Sequence, residues 1–295
     1  CASRDKDKAS AFSRAHHIGT SRTIEEAMIK ADADAIWISV AASAMADTAR
    51  QFAALGLPLF LEKPVGLSLE ETKAATAAIS SPNMVGLNRR FYEVVHCGLK
   101  QLSEAGQLRA IEVHMPEDVS RLPDKHSGLV RRQWQYANSI HLIDLFRFFA
   151  GEATQVIRQN KVSNDVDRSY MSLLRFSNGA RGIFNAQWYA PGGWRVCLYA
   201  DDIMLQFQPI EELTIRRRGQ PAQVITATGP DKRFKPGLYN QALAFAALVR
   251  TGTLPYGAAD LKDYARTVEL TEKLTNSDSE LIVLDATDIQ SSVDT

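Results

Sequence analysis

LPLFLEKPVGLSLEET, residues 57–72, holds a strand, a turn and the first turns of a helix in one short stretch. Leu57–Leu61 is a continuous apolar run of the kind buried on both faces of a parallel sheet. Pro64 and Gly66 interrupt it. Ser68 and Glu71 then form the S-x-x-E spacing of a capping box, which opens the helical run LEETKAATAAI. Upstream, DAIWISV (34–40) is a second buried-strand run, followed by a helical stretch over about 44–55 with Gly56 placed to cap it. Downstream, MVGL (84–87) is a further short strand. Strands and helices alternating at this spacing build βαβ units with right-handed crossovers. The first part of the chain, 1–87, is therefore expected to be a doubly wound α/β domain.

Residues 88–295 have a different texture. A helix over about 91–105 leads into RAIEVHM, and a second, NSIHLIDLFRFFAG, runs to Gly151. Closely spaced strand candidates follow: QVIRQNKV, YMSLLRF, ARGIFNAQW, RVCLYAD, IMLQFQ, LTIRRR and QVITAT. Turns such as Ser177-Asn178-Gly179 between neighbours are hairpin chemistry, hence antiparallel pairing. Two helices, about 237–251 and 259–275, end the pattern. The expectation is an α+β domain with an open, mainly antiparallel sheet.

Bulk properties narrow the function classes. Lys+Arg and Asp+Glu are equal at 34 each, so no basic nucleic-acid surface is advertised. Arg216-Arg217-Arg218 reads as a solvated strand end. The three cysteines, Cys1, Cys97 and Cys197, form no CxxC pair, which removes the grounds for a disulfide framework or a cysteine zinc site. His16-His17 reads as a helix end near Gly19, and no metal site is expected. No apolar run approaches the roughly 18–20 residues needed to span a bilayer, and no signal peptide is visible. A cytoplasmic protein is the default expectation.

Within this frame LPLFLEKPVGLSLEET resembles the Glu-Lys-Pro segment of the Gfo/Idh/MocA oxidoreductases (the glucose–fructose oxidoreductase and inositol dehydrogenase group). VGLNRRF (85–91) is similar to the family's next segment, where Asn-Arg follows the last strand of the nucleotide-binding half. IHLIDLFRFFAG (140–151) resembles the helix that carries the family's catalytic histidine. The likeness runs in order along nearly the whole chain. It implies an incomplete Rossmann-type sheet over 1–87, and a substrate-binding and oligomerisation domain over 88–295. It also implies Lys63 as the catalytic lysine and His141 as general acid/base, with Glu62 orienting the site and Pro64 fixing the turn. The chemistry suits these residues. Ligands of an open α/β sheet lie at the carboxyl ends of its strands, where Lys63 stands. An ammonium there stabilises a developing alkoxide, and an imidazole takes or returns the proton.

No G-x-G-x-x-G occurs in the chain. CASRDKDKASAF resembles the segment just after the family's second strand, so about 25–30 residues of the pattern are expected ahead of Cys1. Ser3-Arg4 at that strand end leans toward the 2′-phosphate of NADP, while Asp5 keeps NAD open. Asn88 is a candidate for nicotinamide contact. Arg89, Trp134 and Asn138 are candidate substrate contacts; Arg89 and Arg90 read either as binders of an anionic substrate or, more plainly, as partners of surface carboxylates. Trp134 and Tyr136 could stack on a sugar ring, with core or interface packing the plainer reading for both, and His126 in the polar loop RLPDKHSG (121–128) reads as an exposed residue. Asp144 shares the His141 helix face at i,i+3 and reads equally well as a first-turn carboxylate favourable to the helix dipole. The sequence also departs from the family pattern. Ala137 stands where relatives carry an Asp four residues before the histidine, and Asn138 beside it is a candidate neutral substitute. The expected substrate is a sugar, nucleotide-linked sugar or cyclic polyol, and the expected assembly a homodimer or homotetramer. The rival readings are a hydrolase of the same family using transient redox, and a non-catalytic binding relative.

Overall fold

The structure is a computed structural model that describes residues 1–3, 5–20, 33–122, 128–158 and 168–275. The chain divides into two compact units, Cys1–Ile36 and Trp37–Thr295. In the first, α1 spans Lys6–His16. Asp5 caps it by accepting from the Lys8 amide at 3.0 Å, and His17 ends it in the left-handed region at φ 54°. The paired histidines are thus a helix terminus, as their sequence position suggested. Arg4 lies outside the described residues, as do residues 123–127 with His126.

The α/β part contains β1 (Ile36–Ile38), α2 (Ala42–Ala53), β2 (Leu59–Leu61), α3 (Leu69–Ala78) and β3 (Asn83–Val85). The strands form one sheet in the order β1-β2-β3, with β2 parallel to β3. Leu59, Phe60 and Leu61 are all fully buried, as the unbroken apolar run demanded. Ser68 caps α3 by accepting from the Glu71 amide at 3.1 Å, a contact typically contributing ~1 kcal/mol. The reciprocal arm is displaced by one residue, because Glu71 accepts from the Leu67 amide at 2.7 Å.

After a 3₁₀ turn (Asn88–Phe91) come α4 (Glu93–Ala105), β4 (Ala110–Pro116) and a short helix α5 (Gly128–Arg132). A π-helical segment (Gln135–Ser139) runs directly into α6 (Ile140–Ala150). The remaining strands are β5 (Ala153–Arg158), β6 (Ser169–Phe176), β7 (Arg181–Gln187), β8 (Arg195–Tyr199), β9 (Ile203–Phe207), β10 (Glu212–Arg217) and β11 (Gln223–Thr226). α7 (Gly229–Arg233), α8 (Leu238–Thr251) and α9 (Leu261–Thr275) complete the described chain.

The larger sheet has the order β11-β10-β9-β8-β4-β7-β6-β5, antiparallel throughout except where β4 lies parallel to β7. This is the open, mainly antiparallel sheet expected from the hairpin turns. The Ser177-Asn178-Gly179 turn closes β6 onto β7, with Gly179 at φ 85°. Alternation along β4 and β7 points Ile111, Val113, Met115, Phe184 and Ala186 inward. They meet α6, which is apolar around almost its whole circumference and buried accordingly. Phe146 stacks on Phe176 with centroids 5.8 Å apart and sits edge-on to Phe184. Burying each such ring contributes roughly 2–3 kcal/mol. α6 is held at a defined height in this core, and that height sets the position of His141.

Candidate active site

Lys63 reaches its place from the turn after β2. Glu62 extends the strand, its amide donating to the Ile38 carbonyl at 3.0 Å, and the Gly86 amide donates to Leu61 at 2.9 Å. The Lys63–Pro64 peptide is cis. Thr72 Oγ1, in α3, donates to the Val65 carbonyl at 2.9 Å, which ties the turn to the helix. Gly66 has φ 100°, and a Cβ there would lie 2.9 Å from the Thr72 nitrogen, so glycine is required. Lys63 is thereby aimed across the strand ends, and its Nζ donates to the carbonyl of Ala137 at 2.6 Å.

That carbonyl belongs to the π-helical segment. A π turn widens the i→i−4 ladder and leaves carbonyls free for other donors, which is one reason such turns recur at functional sites. His141 follows in the first turn of α6 and is buried, with no partner for its Nδ1 among the described residues. Its basicity is pushed well below the usual imidazole range by burial, then by the positive charges of Arg89, Lys63 and Lys235. At neutral pH it is an uncharged imidazole. Lys63 is lowered from 10.5 to about 8, by burial first and then by Arg89 and Lys235, while Glu62 and Glu117 pull the other way. Glu62 is raised by burial against the opposing pull of Lys63. Its carboxylate lies so close to Gly86 that a Cβ there would meet Oε2 at 3.0 Å.

The Asn88–Phe91 turn contributes three neighbours with different fates. Asn88 is buried and engaged at both ends: Nδ2 donates to the Pro236 carbonyl at 3.0 Å, and Oδ1 accepts from Arg89 at 2.8 Å. Arg89 lies over the Trp194 ring, 5.5 Å from its centroid, and its Nε has no partner among the described residues. Arg90 does not pair at the surface. It is buried in a bidentate pair with Asp144 (2.7 and 2.6 Å) and in a further pair with Asp263 at 2.8 Å. Thr267 also donates to Asp144, at 2.9 Å. Asp144 is therefore a buried anchor rather than an exposed carboxylate serving the helix dipole. It ties the Asn88–Phe91 turn to α6 three residues beyond His141.

Trp134 and Asn138 converge on a residue that sequence reading missed. Glu117, just past the end of β4, accepts from Trp134 Nε1 at 2.8 Å and from Asn138 Nδ2 at 3.1 Å. Asn138 thus holds a carboxylate in place. Trp134 is buried in the core, and Tyr136 directs its hydroxyl to Glu272. Lys235 enters on the loop between α7 and α8. Asp231 holds that loop by accepting from the Gly237 and Glu93 amides at 2.8 and 2.7 Å. Nothing in the motifs around Glu117 or Lys235 announced them, since one lies at a strand end and the other in a polar loop.

Lys63, Glu62, Glu117, Asn138, Arg89 and His141 therefore gather near the carboxyl ends of β2 and β3 an ammonium, a guanidinium, two carboxylates, a carboxamide and a neutral imidazole. Among the described residues, His141 Nδ1 and Arg89 Nε are buried without partners and so remain able to bond a ligand. Among the described residues no group of three or more His, Cys, Asp and Glu side chains could hold a metal. In the first unit, Ser3 accepts from the Asp5 amide at 3.2 Å, and Asp5 is occupied as the α1 cap.

The fold and site define a nucleotide-dependent oxidoreductase. Residues 1–88 match the oxidoreductase family with an NAD-binding Rossmann fold, and residues 102–206 match the GFO/IDH/MocA C-terminal domain. The chain belongs to the Gfo/Idh/MocA family. It is 27% identical over 237 residues to inositol 2-dehydrogenase of Rhizobium meliloti (strain 1021), covering 74% of this chain and 67% of that protein. It is 28% identical over 249 residues to scyllo-inositol 2-dehydrogenase (NAD(+)) of Bacillus subtilis (strain 168), covering 75% and 69%. A levoglucosan dehydrogenase solved with NADH and levoglucosan shares the fold, with TM-score 0.78 and 19% identity over 96% of this chain and 89% of the other.

Proposed function

We propose that this protein transfers a hydride between nicotinamide and a secondary alcohol or ketone carbon of a cyclic polyol, sugar or nucleotide-linked sugar. The observation that carries this reading is the convergence of Lys63, with its basicity lowered to about 8, and the neutral imidazole of His141 at the carboxyl ends of β2 and β3. Lys63 as ammonium stabilises negative charge on the reacting oxygen. His141 receives the proton in oxidation and returns it in reduction. Glu62 offsets part of the charge of Lys63 and restrains it. Nicotinamide, when bound, supplies the hydride acceptor or donor, and in this reading Glu62, Lys63, Pro64 and Asn88 flank it. Arg89, Trp134 and Asn138 face the substrate side in this reading, Trp134 and Asn138 by holding Glu117.

We keep the division at 87/88 as the boundary between nucleotide and substrate halves. Ser3-Arg4 supports NADP and Asp5 supports NAD. The names of the two inositol relatives and of the levoglucosan enzyme make cyclic polyols and anhydrosugars the first substrates to try. The outward face of the larger sheet exposes Met171, Leu173 and Ile183, which supports a homodimer or homotetramer formed through it. No helix among the described residues is long and apolar enough to cross a membrane.

The test is reduction of NAD⁺ and NADP⁺ at 340 nm with myo-inositol, scyllo-inositol and levoglucosan, followed by a pH profile with the best pair. The roles assigned here require oxidation to decline as pH rises through about 8, where the Lys63 ammonium is lost. A rate that instead climbs through this pH would make Lys63 the base. Absence of nicotinamide binding by the full-length protein would sink the oxidoreductase mechanism.

A further inference from the structure

We propose that Glu117 is the substrate-facing carboxylate of this site, accepting a hydroxyl hydrogen bond from a polyol whose reacting oxygen lies against Lys63. The position four residues before His141 is Ala137, which offers only its backbone carbonyl, and Lys63 Nζ occupies that carbonyl at 2.6 Å. The very next residue, Asn138, donates to Glu117 Oε1 at 3.1 Å, while Trp134 Nε1 holds Oε2 at 2.8 Å. One peptide unit of the π-helical segment therefore carries contacts to both the lysine and the carboxylate. Glu117 belongs to a different element, the end of β4, and reaches the site from the sheet side.

Its remaining acceptor capacity is the reason to give it a ligand. A carboxylate offers about four lone-pair sites. Trp134, Asn138 and Trp194 use three of them, which leaves about one for a further donor, and no cationic side chain lies within ion-pair distance among the described residues. A half-buried carboxylate held by neutral donors keeps its charge available to a further donor. Burial raises its proton affinity; the bonds from Trp134, Asn138 and Trp194 and the charge of Lys63 counter that rise. Lys63 in turn faces Glu62, Arg89 and Lys235 besides Glu117, and His141 across the site. Of these, Glu62 and Glu117 alone favour its ammonium form. A vicinal diol suits this pairing. The reacting oxygen lies against Lys63, and the neighbouring hydroxyl donates to Glu117.

The hydroxyl contact rests on the dehydrogenase reading, whereas the effect on Lys63 does not, so the experiment has two arms. The first titrates Lys63 without substrate, from the pH dependence of its arylation by fluorodinitrobenzene, resolved by mass spectrometry, in the wild-type protein and in Glu117→Gln. The expected result is a lower titration in the variant, because a carboxylate that favours the ammonium has been removed. The second arm compares kcat/KM for an inositol, with an expected loss of between about tenfold and about a hundredfold, mainly through KM. Adding Ala137→Asp to Glu117→Gln is expected to recover part of both. An unchanged Lys63 titration overturns the proposal, whatever the kinetics show. A shifted titration with kcat/KM within twofold of wild type overturns the hydroxyl contact. A wild-type protein inactive on every polyol, yet with a shifted titration, sinks the dehydrogenase reading and leaves the Lys63–Glu117 coupling standing. If Glu117→Gln does not fold, Glu117→Asp replaces it: the charge stays while its reach shortens, so KM must rise, and an unchanged KM overturns the contact.

Discussion

Lys63→Met is expected to yield a protein that turns over no substrate and resists urea better than its parent at neutral pH. The magnitude comes from the surroundings of Lys63. Its proton affinity falls from 10.5 in water to about 8 in the fold, chiefly because burial disfavours the ammonium. Between those two values the unfolded chain binds the proton and the folded one releases it. Stability therefore rises as pH climbs through that window, and the full penalty is present below about 8. At pH 7 that penalty is about 3 kcal/mol. Removing the ammonium relieves it, and losing the bond to the Ala137 carbonyl costs about 1 kcal/mol, for a net gain of about 2 kcal/mol. At about pH 9.5 wild-type Lys63 is already largely neutral, and about 2 kcal/mol of the penalty is gone. The advantage of the variant should then nearly vanish. Urea unfolding of both proteins at these two pH values, followed by tryptophan fluorescence, isolates the effect because other titrating groups cancel in the difference. A stability difference that changes by less than about 0.5 kcal/mol between the two conditions would refute the account of a strained, buried ammonium.

Three further outcomes are expected. Asp144→Asn leaves Arg90 without its bidentate partner in the core and should cost about 3–5 kcal/mol in chemical denaturation; a loss below about 1 kcal/mol would show the pair to be dispensable. Gly237→Ala should destabilise the fold by at least about 1–3 kcal/mol. Its backbone sits at φ 75°, and the new Cβ would fall 2.1 Å from the Asn88 carbonyl oxygen, so a melting temperature equal to wild type would contradict the packing described. His141→Asn should lower kcat by about 10²–10⁴-fold with no loss of thermal stability; retention of activity within tenfold would remove the imidazole from the mechanism.

The sequence was most legible where local chemistry and tertiary burial agreed. Leu59–Leu61, the Ser68 cap and the alternating β4 and β7 strands follow rules that act within a few residues, and each forms where its pattern places it. The resemblance put Lys63 and the helix of His141 in order along the chain, and the fold brings their neighbourhoods together through the Ala137 carbonyl. The hidden features depend on long-range geometry. Glu117 has no motif because its importance comes from Trp134 and Asn138, which approach from another element. From the sequence Arg90 read as a substrate contact or a partner of surface carboxylates, and Asp144 as a neighbour of His141 or a helix-dipole carboxylate, since nothing local distinguishes a solvated arginine from one buried in a matched pair. The π-helical turn over Gln135–Ser139 was likewise invisible, being one extra residue accommodated by the surroundings rather than specified by them.

The one parallel pairing in the larger sheet has a consequence for how the protein is made. β4 is the first strand of that sheet to leave the ribosome, yet both of its neighbours, β7 and β8, come much later in the chain. β5, β6 and β7 can zip together through successive hairpins, as can β8 to β11. These two ribbons share no edge until β4 lies between them. β4 is thus a keystone that must wait, its apolar residues unsatisfied, until residues 181–199 have been synthesised. Such sequence-distant pairings are slow to form because the loop between them must close first. Glu117 immediately follows this strand, so the carboxylate reaches Asn138 and Trp134 only once the sheet has closed around β4. A nascent or truncated chain ending before β8 is left with an unjoined edge and an unfinished site.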